Sequence, residues 1–484
     1  MNQKDTPLFN QLKKHAEQSP QSFHVPGHKN GRVFYEKAKT MFQDILHIDQ
    51  TEIEGLDDLH EADGVIAEAE QLAAELYGVR KTHFLVGGST AGNLAMMMTA
   101  AERGETVLVQ RNSHQSIFHG IELAGVKPVF LEPEGDEETG TVLGVSLRTL
   151  KEGIAAFPEA KAVFLTSPTY EGYGQPLSEH VQAAHNAGLM VCVDEAHGAH
   201  LIYEKGASWP QSAIRAGADM VVHSAHKSLP AMTMSSFIHV NSSRVNEEML
   251  GYCLRMLQSS SPSYPLMASL DTARAYLASF TDSDWRHITV RVAQFKEEVG
   301  QGYFWGRTPQ KLGNYVQDPL KLAFVTRFAG VPFKWKRRME ESNVFPELVS
   351  PYHLLLTLPL TSELPSGEKW SGFFQEVLHL NNDDIERYDK RRKAAFFHKK
   401  NISGLAYTID EMRNRETSLV PWTASEGLIS AETITPYPPG IPLVLKGERI
   451  ERTHVARLAE LVDAGTSFQT GKKWIKEGIK IFLQ

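Results

Sequence analysis

Short apolar runs alternate with amphipathic stretches between about Thr82 and Val240, and this alternation constrains the fold more than any other feature. Such alternation is typical of a parallel sheet that is covered by helices. The predicted strands, in chain order, are THFLVGG, TVLVQ, KPVFLEP, KAVFLTSP, LMVCVDEAHG and ADMVVHS. Before the first strand, apolar residues between Val65 and Leu76 fall on one face of a predicted helix, which Gly78 ends.

The character of the sequence changes near Leu312, where shorter strand-like pieces such as LKLAFVTRF and YHLLLTLPL begin. We therefore predict four segments, which are an N-terminal segment (1–60), a large α/β domain (61–310), a small α/β domain (311–395) and a C-terminal domain (396–484). The charged run NNDDIERYDKRRKAAFFHKK predicts a solvated helix or linker. The stretch TPYPPGIPLVLKGERI predicts a rigid loop that leads into a final strand.

Composition argues against several classes of protein. A net charge of -8 gives no basic field for a phosphate backbone, so nucleic acid is not an expected partner. No stretch supplies the roughly 18 uncharged apolar residues of a membrane span, and the N-terminus lacks the apolar core of a secretion signal. Only Cys192 and Cys253 are present, which fits a reducing compartment. We expect a cytoplasmic protein with no membrane partner and no metal site.

Polar residues follow five of the apolar runs, at the point where each predicted strand ends. The carboxyl ends of parallel strands share one edge of a sheet, so these clusters are expected to face one crevice. The clusters are Gly87 to Asn93, Asn112 to His114, Thr166 to Tyr170, Asp194 to His197, and His223 to Lys227.

Three of these clusters offer an anion site, a buried carboxylate and a reactive amine. Gly88, Ser89 and Thr90 can present N–H groups and hydroxyls to a phosphate, or can form an ordinary helix cap. Asp194 follows a buried strand and needs a cationic partner, either in an ion pair or on a protonated ring nitrogen. Burial of Lys227 would favour its neutral form, which is a nucleophile. Each residue is weak evidence by itself, but the combination with a flat imidazole meets the requirements of pyridoxal phosphate.

Eight motifs resemble the ornithine/lysine/arginine decarboxylase family of fold-type-I pyridoxal phosphate enzymes. They are SFHVPGHKNG, LDDLHEADGVIAEA, GGSTAGN, RNSHQSIFHG, TSPTYEGYG, VDEAHGAH, SAHK and YPPGIP, and they occur in the order of the family. The resemblance covers most of residues 6–270 and recurs near 425–450. It implies an α/β fold with a transferase-like large domain that binds the cofactor on a mainly parallel sheet between helices. It also implies a small α/β domain and a C-terminal domain.

The resemblance implies a role for individual residues. Lys227 is expected to form the Schiff base with pyridoxal 5'-phosphate, and Asp194 is expected to hold the pyridine nitrogen in its protonated form. His114 is expected to stack on the ring. The other expected contacts, with the phosphate or with the second ring face and its edge, come from Gly88, Ser89, Thr90, Ala196, His197, Ser224 and His226.

The implied reaction is decarboxylation of arginine, lysine or ornithine to the amine and carbon dioxide. Lys227 or His226 is expected to return a proton to the α-carbon. The carboxylate that recognises the basic side chain stays open among Glu52, Glu54, Asp57, Asp58 and Glu171. One alternative is an aminotransferase or a β-eliminating lyase on the same scaffold, which would reuse Lys227 and Asp194. Another is a non-catalytic module that binds pyridoxal phosphate.

The chain begins near the PGHK motif, without the N-terminal wing domain of the larger inducible members, and so resembles the short biosynthetic type. That resemblance implies a homodimer or a dimer of dimers with active sites at the subunit interface. The segment Ser259 to Asp271 is then expected to supply a phosphate contact across the interface. The expected partners are a small amino acid substrate and a second copy of the chain.

Overall fold

A computed structural model describes residues 2–203, 208–302, 305–364, 366–380, 401–437, 440–469 and 471–483. The helices, numbered in chain order, are α1 (Pro7–Glu17), α2 (Glu36–Ile48), α3 (Val65–Tyr77), α4 (Gly88–Ala100), α5 (Gln115–Ala124), α6 (Leu147–Ala156), α7 (Leu177–Asn186), α8 (Ala225–Ser228), α9 (Glu247–Leu257), α10 (Tyr264–Ala278), α11 (Asp282–Val299), α12 (Val331–Glu341), α13 (Gly367–Val377), α14 (Ile409–Arg413), α15 (Arg452–Asp463) and α16 (Lys473–Glu477). No helix within these ranges has both the length and the apolar content that crossing a membrane requires.

The strands are short. In chain order they are β1 (Lys81–Leu85), β2 (Thr106–Gln110), β3 (Lys127–Leu131), β4 (Ala162–Thr166), β5 (Tyr173–Gly174), β6 (Met190–Asp194), β7 (Met220–His223), β8 (Ser236–Val240), β9 (Gly306–Arg307), β10 (Lys311–Leu312), β11 (Tyr315–Gln317), β12 (Lys321–Val325), β13 (Leu348–Val349), β14 (His353–Thr357), β15 (Ile402–Gly404), β16 (Thr417–Val420), β17 (Pro436–Tyr437), β18 (Ser467–Phe468) and β19 (Ile479–Phe482). The six strands predicted from the apolar runs are confirmed as β1, β2, β3, β4, β6 and β7.

The chain divides into two compact units. Unit 1 contains residues 1–100, 190–203 and 212–282, and unit 2 contains residues 101–189, 204–211 and 283–484. The four predicted domain bounds stay a prediction. The charged run at 381–400 lies outside the described residues.

Unit 1 contains four strands in the order β1, β8, β7, β6. β6 and β7 are parallel, whereas β8 runs antiparallel to both β7 and β1. The valine-rich runs of β6 and β7 are buried, as expected for strands that are covered on both faces. The helix predicted after Val65 is α3, and Gly78 ends it in the left-handed conformation at φ 70°.

Helix α4 approaches this sheet closely because Gly92 has no side chain. A Cβ atom at Gly92 would lie 2.7 Å from Leu85 Cδ1 and 3.1 Å from both Cγ atoms of Val222. Contacts this short would push the helix away from the strands. Gly92 therefore fixes where the N-terminus of α4 meets the ends of β1 and β7.

One sheet segment of unit 2 has the strand order β4, β2, β3, β15, in which β15 alone is antiparallel to its neighbour. The predicted strand-like pieces after Leu312 are confirmed as β12 and β14, which pair with each other. The strand predicted after the YPPGIP motif is wrong, because this stretch forms only isolated bridges. Gly447, at φ 85°, and a bond from Glu448 N–H to the Leu445 carbonyl oxygen make a turn there.

Candidate active site

The N-terminus of α4 brings hydroxyls and backbone N–H groups together in unit 1. Gly88 begins the helix at φ 72°, a conformation that glycine adopts without strain. Ser89 is half-buried, Thr90 is exposed, and Ser224 Oγ donates to Ser89 Oγ at 2.8 Å. The first four N–H groups of a helix have no acceptor within the helix. This turn can therefore bind an anionic group such as a phosphate.

Asp194, the last residue of β6, is 3% exposed and is held by two donors. Asn93 Nδ2 donates to its Oδ2 at 2.9 Å, and the Ala196 N–H donates to its Oδ1 at 3.1 Å. Both bonds fix the orientation of the carboxylate. A carboxylate held in this way can accept a further hydrogen bond from a protonated ring nitrogen.

Lys227 lies in the short helix α8, which follows β7, and its side chain is partly buried. Its Nζ lies 3.1 Å from Nε2 of His197, which is 7% exposed. The loop that carries Asp194 and His197 is thus joined to the loop that carries Lys227. The Ser224 N–H strengthens this connection by donating to the Ala196 carbonyl oxygen at 3.3 Å.

His226 is anchored through one ring nitrogen. Its Nδ1 lies 3.1 Å from the Ser235 carbonyl oxygen, and its backbone N–H donates to the same oxygen at 3.3 Å. A carbonyl oxygen only accepts, so Nδ1 carries the proton. In the neutral ring, Nε2 then has the lone pair, which is the form that can take up a proton.

His114 belongs to unit 2, where it precedes α5. Its Nδ1 lies 2.9 Å from Ser116 Oγ and accepts from the Ser116 N–H at 3.3 Å. The Gln115 N–H donates to the Gly440 carbonyl oxygen at 3.2 Å. A Cβ atom at Gly440, whose φ is 85°, would lie 3.5 Å from His114 Nε2. The YPPGIP motif therefore borders this imidazole, and ring stacking by His114 stays a prediction.

Unit 1 thus joins three of the five predicted clusters through direct bonds. The first two turns of α4 bind one loop through Asn93 and the other through Ser89, and the two loops meet at His197 and Lys227. In unit 2, the other two clusters meet at Ser113 Oγ and Thr166 Oγ1, which lie 3.1 Å apart. Convergence of all five clusters on one crevice stays a prediction.

The structure distinguishes among the carboxylates that could recognise the basic side chain of the substrate. Asp57 accepts three backbone N–H groups at the start of α3, at 2.9 to 3.2 Å. Asp57 is therefore a helix cap. Burial alone would raise the pKa of Asp57, but hydrogen bonds from backbone N–H groups, those of Asp63 and Asp58 first, lower it. Asp58 accepts a backbone N–H at 2.8 Å, and burial raises the pKa of Glu171 in unit 2. Glu52 and Glu54 are exposed and stay candidates.

Asn93 is the functional residue that the sequence analysis left without a role. The sequence feature that could have identified Asn93 is its position four residues after Ser89, because side chains at this spacing share one face of a helix. One face of α4 therefore contacts both the hydroxyl of Ser224 and the carboxylate of Asp194.

The sequence matches two family models. Residues 6–311 match the Orn/Lys/Arg decarboxylase major domain, and residues 393–468 match the Orn/Lys/Arg decarboxylase C-terminal domain. The chain belongs to the Orn/Lys/Arg decarboxylase family. This decarboxylase is 40% identical to the uncharacterized protein YaaO of Bacillus subtilis over 99% of each chain. It is 32% identical to the arginine decarboxylase of the same organism, over 97% of this chain and 96% of the relative.

Solved structures agree with the fold of this decarboxylase. The lysine decarboxylase LdcF of Francisella novicida superposes with a TM-score of 0.79 at 20% identity, over 99% of this chain and 81% of the other. The predicted fold class is therefore confirmed, with a sheet that is mixed in each unit. The predicted family, the decarboxylase class and the pyridoxal phosphate cofactor are confirmed as well.

The residues of unit 1 fit this cofactor chemically. The hydroxyls of Ser89 and Ser224 and the N-terminus of α4 suit its phosphate. Asp194 is a buried carboxylate with fixed oxygens, which suits a protonated pyridine nitrogen. Lys227 supplies a primary amine beside an imidazole, which suits the aldehyde. Residue by residue, these cofactor contacts remain predictions.

Proposed function

We propose that this decarboxylase removes carbon dioxide from a basic amino acid, and that arginine is the substrate to test first. The observation that carries the proposal is the set of hydrogen bonds that joins α4 to the loops of Asp194 and Lys227. These bonds are Asn93 to Asp194, Ser224 to Ser89, and Lys227 to His197. The similarity to the Bacillus subtilis protein that is named arginine decarboxylase is the reason to test arginine first. Lysine and ornithine are the other two candidates.

The side chains of the site have different roles in the proposed reaction. Bound pyridoxal phosphate supplies the electron sink for the electron pair that remains when carbon dioxide leaves. Asp194 keeps a proton on the ring nitrogen, because Asn93 and the Ala196 N–H hold its oxygens in place. His197 orients the amine of Lys227. Lys227, or His226 through Nε2, returns a proton to the α-carbon of the product.

The direct test supplies purified protein and pyridoxal phosphate with arginine, lysine or ornithine, and measures carbon dioxide and amine. We expect equal amounts of both products from one of the three substrates. Norleucine is the matched control, because it has a chain of similar length without the terminal amine. A keto acid without carbon dioxide would indicate an aminotransferase. A bound chromophore without turnover would indicate a non-catalytic module.

Replacing Asp194 with asparagine is expected to lower the decarboxylation rate about 10²-fold to 10³-fold, because a neutral amide no longer stabilises the ring proton. Steady-state rates and the cofactor absorbance spectrum measure the change. Asp219→Asn is the matched control, since Asp219 is 0% exposed and accepts the Val191 N–H at 2.7 Å near the start of β6. An Asp194→Asn rate equal to that of the control would remove this role.

We further propose that a second copy of the chain covers an apolar face of unit 1. On α2, Met41 is 88% exposed, and Phe42 and Ile45 are 47% and 38% exposed. Before this helix, Phe23 is 95% exposed and Tyr35 is 68% exposed. Exposed apolar patches of this kind mark interaction surfaces.

The expected result is a homodimer or a larger even assembly in sedimentation velocity. Met41→Glu combined with Phe42→Glu is expected to dissociate it by placing charges in the interface. Leu123→Glu, at a residue of α5 that is 54% exposed, is the control and should leave the assembly intact. A monomeric wild type would contradict the proposal. The phosphate contact from Ser259 to Asp271 across this interface stays a prediction.

We also place the enzyme in the cytoplasm. Cys192 and Cys253 are both buried free thiols, which supports a reducing compartment. Cell fractionation tests this placement, and recovery of the enzyme outside the cytoplasmic fraction would contradict it.

A further inference from the structure

Four polar side chains of unit 1 form one hydrogen-bonded row across its sheet. Glu195, directly after β6, has its Oε2 2.8 Å from His223 Nε2. His223 Nδ1 lies 3.0 Å from His239 Nε2, and His239 Nδ1 lies 2.8 Å from Thr82 Oγ1. We call these four residues the Glu195 relay. The relay links the β6, β7, β8 and β1 positions of the sheet.

The Glu195 relay is closed off from solvent. Thr82 and His223 are each 1% exposed, and Glu195 and His239 are 0% exposed. Tyr77 of α3 covers the two imidazoles, with ring centroids 5.1 Å from His223 and 4.5 Å from His239. Polar groups at this depth are costly unless each one has a hydrogen-bond partner. The relay meets this requirement at all three links.

With both imidazoles neutral, two arrangements of protons satisfy these links. In the first, Thr82 donates to His239, which donates to His223. His223 then donates to an ionised Glu195. In the second, Glu195 is protonated, and every bond runs in the opposite direction. The second arrangement holds one more proton, so the relay is neutral in the second and carries one negative charge in the first.

The inner end of the relay adjoins the residues of the candidate active site. Glu195 directly follows Asp194, and successive Cα atoms are about 3.8 Å apart. His223 directly precedes Ser224 and lies four positions before Lys227. An ionised Glu195 would place a second negative charge beside Asp194 inside the protein, which is unfavourable. The neutral arrangement avoids that charge and still links the strands that carry both loops.

We propose that the Glu195 relay keeps its extra proton in the folded enzyme and is a neutral positioning unit for Asp194 and Lys227. This inference rests on the proposed function, in which those two residues act on the cofactor. Burial raises the pKa of Glu195, which favours its protonated form, and lowers the pKa of His239 well below its usual value, which keeps that imidazole neutral in either arrangement. The other titratable groups around the relay are Tyr77 on α3, His83 on β1, Asp194 on β6 and His200 after β6.

The tautomer of His239 reports the proton arrangement. The neutral relay puts its proton on Nδ1, whereas the charged relay puts it on Nε2. NMR of the holoenzyme with isotope-labelled histidine distinguishes the two forms, and loss of a signal in His239→Gln identifies the residue. We expect the Nδ1–H form in the wild type at neutral pH. The Nε2–H form of His239, or a doubly protonated ring at His223 in the same spectra, would overturn the proposal.

Glu195→Gln provides a matched mimic of the protonated side chain. The Ala213 N–H donates to Glu195 Oε1 at 2.8 Å, so the amide oxygen of the variant keeps that place. Its NH₂ group then faces His223 and donates to it, as the protonated carboxyl does. We expect the same His239 tautomer in this variant as in the wild type. A change of tautomer between the two proteins would overturn the neutral relay.

The positioning role is tested at Thr82, the outer end of the relay. Thr82→Val leaves His239 Nδ1–H without its hydroxyl acceptor, and we expect kcat to fall about tenfold while KM changes less than about twofold. Thr82→Ser restores the hydroxyl and is expected to restore kcat. If Thr82 only stabilises the fold, Thr82→Val lowers the melting temperature and leaves kcat unchanged. That result would overturn the proposal that the relay positions Asp194 and Lys227.

Failure of the proposed function is distinguishable from failure of this inference. A wild-type protein that releases no carbon dioxide from any basic amino acid contradicts the function. The His239 tautomer still decides the proton arrangement in that protein. It also decides the arrangement if Thr82→Val does not fold, because that measurement needs only the wild type.

Discussion

Replacing Lys227 with alanine is expected to abolish the covalent link to the cofactor and to lower decarboxylation by about 10⁴-fold or more. The reason is that Lys227 supplies the primary amine beside His197 in unit 1. Borohydride reduction followed by mass spectrometry of the peptides measures the link. Carbon dioxide release measures the rate.

Lys296 provides the matched control for Lys227. Burial lowers the pKa of Lys296 to about 8, and its Nζ donates to the Lys321 carbonyl oxygen at 2.7 Å. It is therefore a lysine with a readily deprotonated amine in unit 2. Lys296→Met is expected to retain the adduct on Lys227. An adduct that survives in Lys227→Ala, or disappears in Lys296→Met, would refute the assignment.

Breaking the buried pair of Arg111 and Glu448 is expected to cost about 3–5 kcal/mol of local stability. Arg111 Nε and Nη2 donate to the two carboxylate oxygens of Glu448 at 3.1 and 2.8 Å. Its guanidinium also donates to the Pro442 and Leu443 carbonyl oxygens at 2.8 and 3.1 Å. Glu448→Gln leaves a buried guanidinium without the carboxylate that two of its nitrogens contact. Amide hydrogen exchange over residues 440–450 should become at least about 100-fold faster.

The pH dependence of this effect has a definite sign. Burial alone would raise the pKa of Glu448, but the charge and hydrogen bonds of Arg111 lower it below its usual value. The pair therefore stabilises the fold above the unfolded pKa, near about 4.3, and this stabilisation is lost as pH falls through the folded pKa. The difference between wild type and Glu448→Gln should shrink below about pH 4. A difference that stays constant with pH would contradict an ionised Glu448.

An exposed ion pair supplies the control for the buried one. Arg103 Nη1 lies 2.9 Å from Asp410 Oδ1 in unit 2, and these side chains are 51% and 62% exposed. Exposed pairs contribute about 0–1 kcal/mol. Asp410→Asn should therefore leave hydrogen exchange at 440–450 nearly unchanged. An effect as large as that of Glu448→Gln would show that burial is not the cause.

The sequence predicts the strands and their polar ends because both signals are local. An apolar run followed by Asp194 or Lys227 marks a strand end without any knowledge of its neighbours. The antiparallel β8 and β15 are missed, since their direction depends on pairing with strands distant in the chain. The failed strand after YPPGIP has the same origin, because the turn at Gly447 is held by tertiary contacts.

The site is predictable in its residue types but less so in its contacts. Ser89, Asp194 and Lys227 are identified by position at strand ends, and the structure bonds their loops together. Glu195 and His223 belong to two predicted polar clusters, yet both side chains lie in the buried relay. Each of the two directly adjoins a predicted site residue in the sequence, but their side chains bond to one another. Finding His239 as the next member requires the register of β8, which no local pattern supplies.

The long separation between Arg111 and Glu448 has a consequence for synthesis of the protein. A ribosome makes Arg111 early, and Glu448 emerges 337 residues later. Until then, the nascent chain carries a guanidinium without the carboxylate that binds it in the native fold, even after β15 becomes available to pair with β3. Unit 2 therefore completes its fold only after nearly the whole polypeptide has left the ribosome. Premature termination before residue 448 yields an incompletely folded chain that quality-control proteases can recognise.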